Sequence, residues 1–278
     1  MPVPRPVESV VDHYLALVDR ALPGFVRAFY LVGSTALGGF RPGRSDIDFV
    51  AIVSGGGSSE ELRALRRSHR RAYARALLRA ARDRSWPLAC NGIFVGPEAL
   101  TGPPSRAAAV AHQVAERFAA GAGFDVNPVT WWVLAHAGVP VRGPEVASLD
   151  VHLDDRELRR WTRANLTSFW VPWADALAAG GIRAWTLQLR ALSIDRLVAS
   201  GVLGASRMHA TIATGRVISK DQAGRYALAE FGSRWHPIIE HAVSYWGGSS
   251  LAGAGEAREL RRRTAAFVGH VADLAHAR

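Results

Sequence analysis

Between Phe25 and Val53 the chain leaves one strand-forming run and enters another through a glycine-rich turn, and two aspartates stand at the entrance to the second run. The runs "FVRAFYLVG" and "DIDFVAIV" are rich in aromatic and β-branched residues, as buried strands are. Asp46 and Asp48 lie at i and i+2, so a strand points both carboxylates to one face. Two like charges so close repel, and one takes up a proton unless a cation sits between them. The pair therefore points to a cation. Mg²⁺ is hard, favours oxygen, and binds through one or two carboxylates together with substrate phosphates. The Gly33-Ser34 turn supplies the other half. Gly33 lets backbone approach a phosphate closely, and the Ser34 hydroxyl and the amides that follow can donate to phosphate oxygens. A nucleotide would be held at its tail by the turn and at its metal by the aspartates. In-line attack at phosphorus then needs mainly positioning and charge neutralisation.

Around this segment the pattern alternates between helix and strand. "VESVVDHYLALVDRAL" has helical spacing at Val7, Val10, Val11, Leu15 and Val18. "SEELRALRRSHRRAYARALLRAARDR" predicts a long helix, with Ser58 and Glu61 as a capping box. Leu62, Leu65, Tyr73, Leu77 and Leu78 are expected inward, arginines outward. Residues 88–95 predict a third strand, and a helix is expected near 105–120. "FDVNPVTWWVLAHAG" predicts a short strand and then a helix started by Pro128. "VPVRGP" closes the first half. Beyond it the pattern is helical: Asp154 or Asp155 caps one helix, and further runs cover about 183–200, 204–214, 219–231, 234–246 and 255–276. The expected architecture is α+β: a mixed-sheet domain over residues 1–148, then an all-helical bundle over 149–278.

Composition adds bounds. The 278 residues suffice for one large domain or two modest ones. No run reaches the roughly 18–20 apolar residues of a membrane span. The start, "MPVPRPVESVVDHY", has no signal-peptide core, and the single Cys90 excludes an internal disulfide framework. These features point to the cytoplasm. The net charge of +10 comes from 33 arginines and one lysine. So lopsided a split reads as codon bias, not as a nucleic-acid footprint, and the arginines of residues 63–84 read as a solvated face. Lys220, the only lysine, stands out against that bias.

"GSTALGGFRPGRSDIDFVAIV" resembles the signature of the nucleotidyltransferase superfamily. Within it, the match is to the aminoglycoside adenylyltransferases that modify streptomycin and spectinomycin. "VLGASRMHATIATGRVISKDQAGRYAL" resembles that family's C-terminal motif, and "NPVTWWVLAHAGVPVRGP" the close of its first domain, so the resemblance covers roughly residues 20–248. It implies a nucleotidyltransferase domain and a helical bundle with the site between them. It also implies Gly33 and Ser34 on nucleotide phosphate, Asp46 and Asp48 on Mg²⁺, and Lys220 on the triphosphate of ATP. Arg207 and His209 would face the same site.

Two positions depart from the family. Its usual third acidic residue would fall in "PLACNGIFV", where Asn91 stands, and Asn cannot act as a general base. Glu98, Asp125 and Glu145 are the alternatives. Around the acceptor site, Asp195 is the one acid in "SIDRLVASG", and the helical half offers Trp161, Trp170, Trp173 and Trp185. Tryptophans at such spacing are more often core, and Trp170 and Trp173 are the candidates for acceptor contacts in an apolar or stacking pocket. The function expected is Mg²⁺-dependent transfer of AMP from ATP to a hydroxyl of a small molecule, in antibiotic resistance or specialised metabolism. The rival is a pseudo-nucleotidyltransferase whose cleft is reused for small-molecule binding or metal-free chemistry. Neither membrane nor nucleic acid is an expected partner, and the expected state is a monomer or weak oligomer.

Overall fold

The computed structural model describes residues 2–180, 193–249 and 256–277. The chain separates into two compact units, Met1–Leu153 and Asp154–Arg278. In the first, helix α1 (Arg5–Ala21) leads into strand β1 (Val26–Leu31), the single turn α2 (Gly33–Ala36) and strand β2 (Ile47–Val53). Helix α3 (Ser59–Asp83) crosses to β3 (Cys90–Val95), which is followed by β4 (Ala109–Val114), β5 (Arg117–Ala120), helix α4 (Pro128–Ala137) and β6 (Val139–Arg142). The six strands form one sheet in the order β5-β4-β3-β2-β1-β6. The β2–β3 pair is parallel and the others are antiparallel. A parallel pair needs a long crossover, and α3 supplies it.

One face of the sheet carries the core. Phe29, Leu31, Ile47, Phe49, Ala51, Cys90, Phe94 and Ala111 pack there with Val7, Val11, Tyr14, Leu15 and Val18 of α1 and Leu65 of α3. Buried Gln113 is satisfied on this face. The Tyr14 hydroxyl donates to its Oε1 at 2.8 Å, and its Nε2 donates to the Cys90 carbonyl at 2.8 Å. Strand alternation then sends Asp48, Val50 and Asn91 to the opposite face. The Ser58–Glu61 capping box starts α3 as expected. The buried stripe of α3 runs Leu65, His69, Tyr73, Ala76, Ala80, and Leu77 and Leu78 fall off it into solvent at 43% and 74% exposure.

Residues 105–120 hold strands β4 and β5, not the expected helix. Alanine, glutamate and arginine favour helix there, but β3 offers an unpaired edge, and Gly92–Val95 pair with Ala109–Gln113. The strand expected before Pro128 is a loop, with Asn127 capping α4 through its side chain. The "VPVR" stretch is itself a strand, β6, paired with β1.

In the second unit Asp154 caps α5 (Asp155–Asn165) by accepting the Arg156 and Glu157 amides. A π-helical turn, Leu166–Trp170, passes into α6 (Val171–Ala178). Then come α7 (Ile194–Thr214), α8 (Lys220–Glu230), α9 (His236–Gly247) and α10 (Ala257–His276). Residues 194–214 form one helix, not two runs broken near 200–204. Gly201 and Gly204 are packing positions within it. A methyl group on either would lie 2.6 Å from the Trp173 ring or 2.3 Å from the Trp170 ring. The core gathers Val198, Val202, Leu203, Ile239, Phe267 and Val271 about α7. Trp185 and much of the run expected over 183–200 lie outside the described residues.

Candidate active site

The turn after β1 is shaped around Asp48. Gly33 has φ +59°, and a methyl group on it would lie 2.0 Å from the Asp48 Oδ2. The missing side chain is thus what brings backbone against the carboxylate. The Val32 amide donates to the Asp48 carbonyl at 2.9 Å, which fixes the turn to β2. Ser34 is half-buried beside Gly33, and its carbonyl accepts the Gly39 amide at 2.9 Å.

Asp46 is presented by a tight turn. The Arg41 amide donates to Ser45 Oγ at 3.0 Å, and the Ser45 amide returns to the Arg41 carbonyl at 2.9 Å. Trp86, just before β3, donates its Nε1–H to Asp46 Oδ1 at 3.0 Å. Asp46 and Asp48 are both half-buried. Burial, and then the charge of Asp48, push the Cys90 thiol well up. Tyr73 is pushed up to about 12 by burial, then by Glu116 and Asp46.

Asn91 pairs with Asp48 across the parallel β2–β3 register. It is buried, and its Oδ1 accepts the Ala115 amide at 3.0 Å. Of the alternative carboxylates, Glu98 lies in the turn after β3 and Glu145 beyond β6. Asp125 sits in the loop before α4, where burial raises its carboxyl and His112 draws it back down. Trp86 is a neighbour of the site that sequence reasoning passed over. For Trp86 a signal was available in the Trp-Pro pair that leads into β3.

The donor set suits Mg²⁺. Two carboxylates, one just before β2 and one within it, with backbone held against the second, match a cation that shares its coordination with phosphate and water. Among the described residues no group of three His, Cys, Asp or Glu side chains could enclose a metal alone.

In the second unit Arg207 and Lys220 border one stretch of chain. The Arg207 Nε donates to the Ile218 carbonyl at 2.8 Å, and the Ser219–Gln222 capping box starts α8 at Lys220. The Lys220 Nζ stands 4.2 Å over the Trp246 ring. His209 is fully buried, with Nδ1 2.7 Å from the Tyr226 hydroxyl. Asp195 is buried too, and its Oδ1 lies 2.7 Å from His241 Nε2. Trp170 and Trp173 stack edge-to-face, half-buried, over the glycines of α7.

Residues 15–78 match the nucleotidyltransferase domain, and residues 182–273 match the aminoglycoside adenylyltransferase C-terminal domain. The chain belongs to the aminoglycoside adenylyltransferase-like nucleotidyltransferases. It is by that membership an enzyme. The first match spans α1 to α3 and contains Gly33, Ser34, Asp46 and Asp48, and the second contains Arg207, His209 and Lys220. The fold is similar to that of the spectinomycin adenyltransferase AAD(9) from Enterococcus faecialis, solved with ATP and spectinomycin. The TM-score is 0.68 and the identity 15%, over 94% of this chain and 99% of that one. No curated protein matches the chain in sequence. Among the described residues no helix of this nucleotidyltransferase is long and apolar enough to cross a membrane.

Proposed function

We propose that the protein transfers AMP from ATP to a hydroxyl group of a small polyhydroxylated molecule. The observation that carries the reading is the fit of Gly33 to Asp48, which brings backbone against that carboxylate next to Ser34. Asp46 and Asp48 would hold Mg²⁺, which when bound neutralises charge on the phosphates. Ser34 and the turn amides bind phosphate oxygens. Trp86 orients Asp46 by its indole hydrogen bond. Within the second unit, Lys220 and Arg207 supply positive charge of the kind that suits phosphate. A lysine there is a compact point charge on a flexible stem, and Trp246 beneath it restrains that stem.

The relative solved with spectinomycin supports an aminocyclitol as first candidate acceptor. The placement of Asp195 and His209 narrows which residues can meet it. Both are buried and hydrogen-bonded inside the helical core, so the half-buried edges of Trp170 and Trp173 are the better acceptor contacts. Incubation with labelled ATP, Mg²⁺ and a panel of aminocyclitols and other hydroxylated metabolites tests the reading. The expected result is an acceptor heavier by one adenylyl unit. A panel returned unmodified, with ATP bound, favours the second reading, a cleft reused for binding. That reading draws on Asn91 at the place of an acid.

A further inference from the structure

Asn91 occupies the position opposite Asp48, yet its side-chain oxygen is turned to another task. It accepts the Ala115 amide at 3.0 Å. Ala115 is the first residue of the two-residue turn between β4 and β5, and its φ is +50°. A non-glycine residue held there needs support from its surroundings. Asn91 gives that support through its side-chain oxygen, and the Ala115 backbone in turn acts upward on the buried His69 imidazole of α3. The next residue in this locked turn is Glu116. Register places the turn beside the first residues of β3, level with the entrance of β2, where Asp46 and Asp48 stand.

We propose that Glu116 is the general base of the transfer and that Asn91 is its positioning residue. The proposal rests on the nucleotidyl-transfer reading above. The Glu116 carboxylate removes the proton of the acceptor hydroxyl. The acceptor oxygen forms a bond to the α-phosphorus of ATP, and the bond from that phosphorus to the bridging oxygen of the β-phosphate breaks. Pyrophosphate leaves with the electron pair, and the proton remains on Glu116 until water takes it. Glu98 and Glu145 are less well placed. β3 has six residues, so its ends lie roughly 17 Å apart, and Glu98 follows the far end. Glu145 lies beyond β6, on the β1 edge of the sheet. Burial raises the Tyr73 hydroxyl, and the charges of Glu116 and Asp46 both add to that rise.

The test uses the full chain with Mg²⁺–ATP and two acceptor probes, spectinomycin and water, read as pyrophosphate release. Glu116→Gln should cut release by about 10²–10⁴-fold, the range of general-base help. Calorimetry should find Mg²⁺–ATP bound within twofold of native affinity. Adding Asn91→Asp to that variant returns a carboxylate opposite Asp48, one that still accepts the Ala115 amide. It should recover at least tenfold of the lost rate, which a merely structural role for either residue would not produce. If Glu116→Gln does not fold, Glu116→Asp must show the same split between binding and rate. A Glu116→Gln rate within threefold of native overturns the assignment and leaves the transfer reading standing. Loss of rate together with loss of nucleotide binding, or no recovery in the double variant, also overturns it. A native protein that binds Mg²⁺–ATP but releases no pyrophosphate with either probe defeats the transfer reading itself, and the base assignment with it.

Discussion

A methyl group on Gly33 has nowhere to go except into the Asp48 carboxylate. Gly33→Ala would place Cβ 2.0 Å from Oδ2 at a φ of +59°. The left-handed backbone alone costs an L-residue roughly 1–2 kcal/mol. The clash moves Asp48, so the expected outcome is a loss of Mg²⁺–ATP affinity of at least about tenfold, or roughly 1.4 kcal/mol. Calorimetry reads the affinity and urea unfolding the stability. Affinity unchanged in a folded variant would separate the turn from the nucleotide. His69 gives a second prediction. Burial holds its imidazole down to about 4, against the Ala115 hydrogen bond and the Glu116 charge, which both act upward. The unfolded chain protonates His69 near 6.5 and the folded chain only near 4. Between those values the unfolded state holds more protons, so stability falls as pH drops through that window and rises with pH within it. The loss is on the order of 2–3 kcal/mol by pH 4. Urea midpoints at pH 7.5, 5.5 and 4.5 should fall steadily. His69→Phe should flatten that slope.

At the scale of elements, the β4–β5 hairpin is where sequence and structure part. "AAAVAHQVAERFAAG" has helix-forming composition, and nothing within it announces a sheet. The deciding partner is β3, far along the chain in contact terms, whose edge would otherwise stay unpaired. Strands β1, β2 and β3 were legible because each is a run of aromatic and β-branched residues bounded by turn chemistry. The aspartate pair and Gly33-Ser34 were legible because their spacing has a physical meaning on a strand. Trp86 was not, because only folding brings its indole to Asp46. Likewise Gly201 and Gly204 read as a helix break, and only the rings of Trp173 and Trp170 explain them. The hairpin carries its own prediction. Ala115 holds φ +50° without being glycine. Ala115→Gly removes left-handed strain of roughly 1–2 kcal/mol and adds unfolded-state entropy worth about 0.4–1 kcal/mol. The net expectation is a stability gain of roughly 0.5–1 kcal/mol, read from the urea midpoint at constant slope. A loss would mean that the Ala115 methyl group's packing against Tyr73 and Ala76 outweighs the strain.

At the scale of the whole molecule, the two cores draw on separate stretches of chain. The sheet core runs from Val7 to Ala111 and the helical core from Leu166 to Ala275. Each is closed by its own interactions. In the first unit Arg142 of β6 forms a two-pronged ion pair with Asp19 of α1, at 2.8 and 2.6 Å, and so ties the last strand to the first helix. In the second, Arg163 of α5 donates to the Ala275 carbonyl of α10 at 3.1 Å, and so ties the ends of the unit together. A unit with its own apolar centre and paired ends meets the usual conditions for folding alone. The fragment 154–278 is therefore expected to fold. It should show a helical far-ultraviolet spectrum, an ordered near-ultraviolet spectrum from its tryptophans, and a single cooperative urea transition. Gly204→Val tests whether that order comes from the packing described. Its side chain would displace the Trp170 ring, which lies 2.3 Å from even a methyl group there. Overpacking of this kind costs about 1–3 kcal/mol or more. The variant fragment should unfold at lower urea and lose near-ultraviolet intensity before far-ultraviolet intensity. A fragment that keeps helix but shows no near-ultraviolet signal even without the substitution would mean that the helical core takes its final packing only in the intact chain.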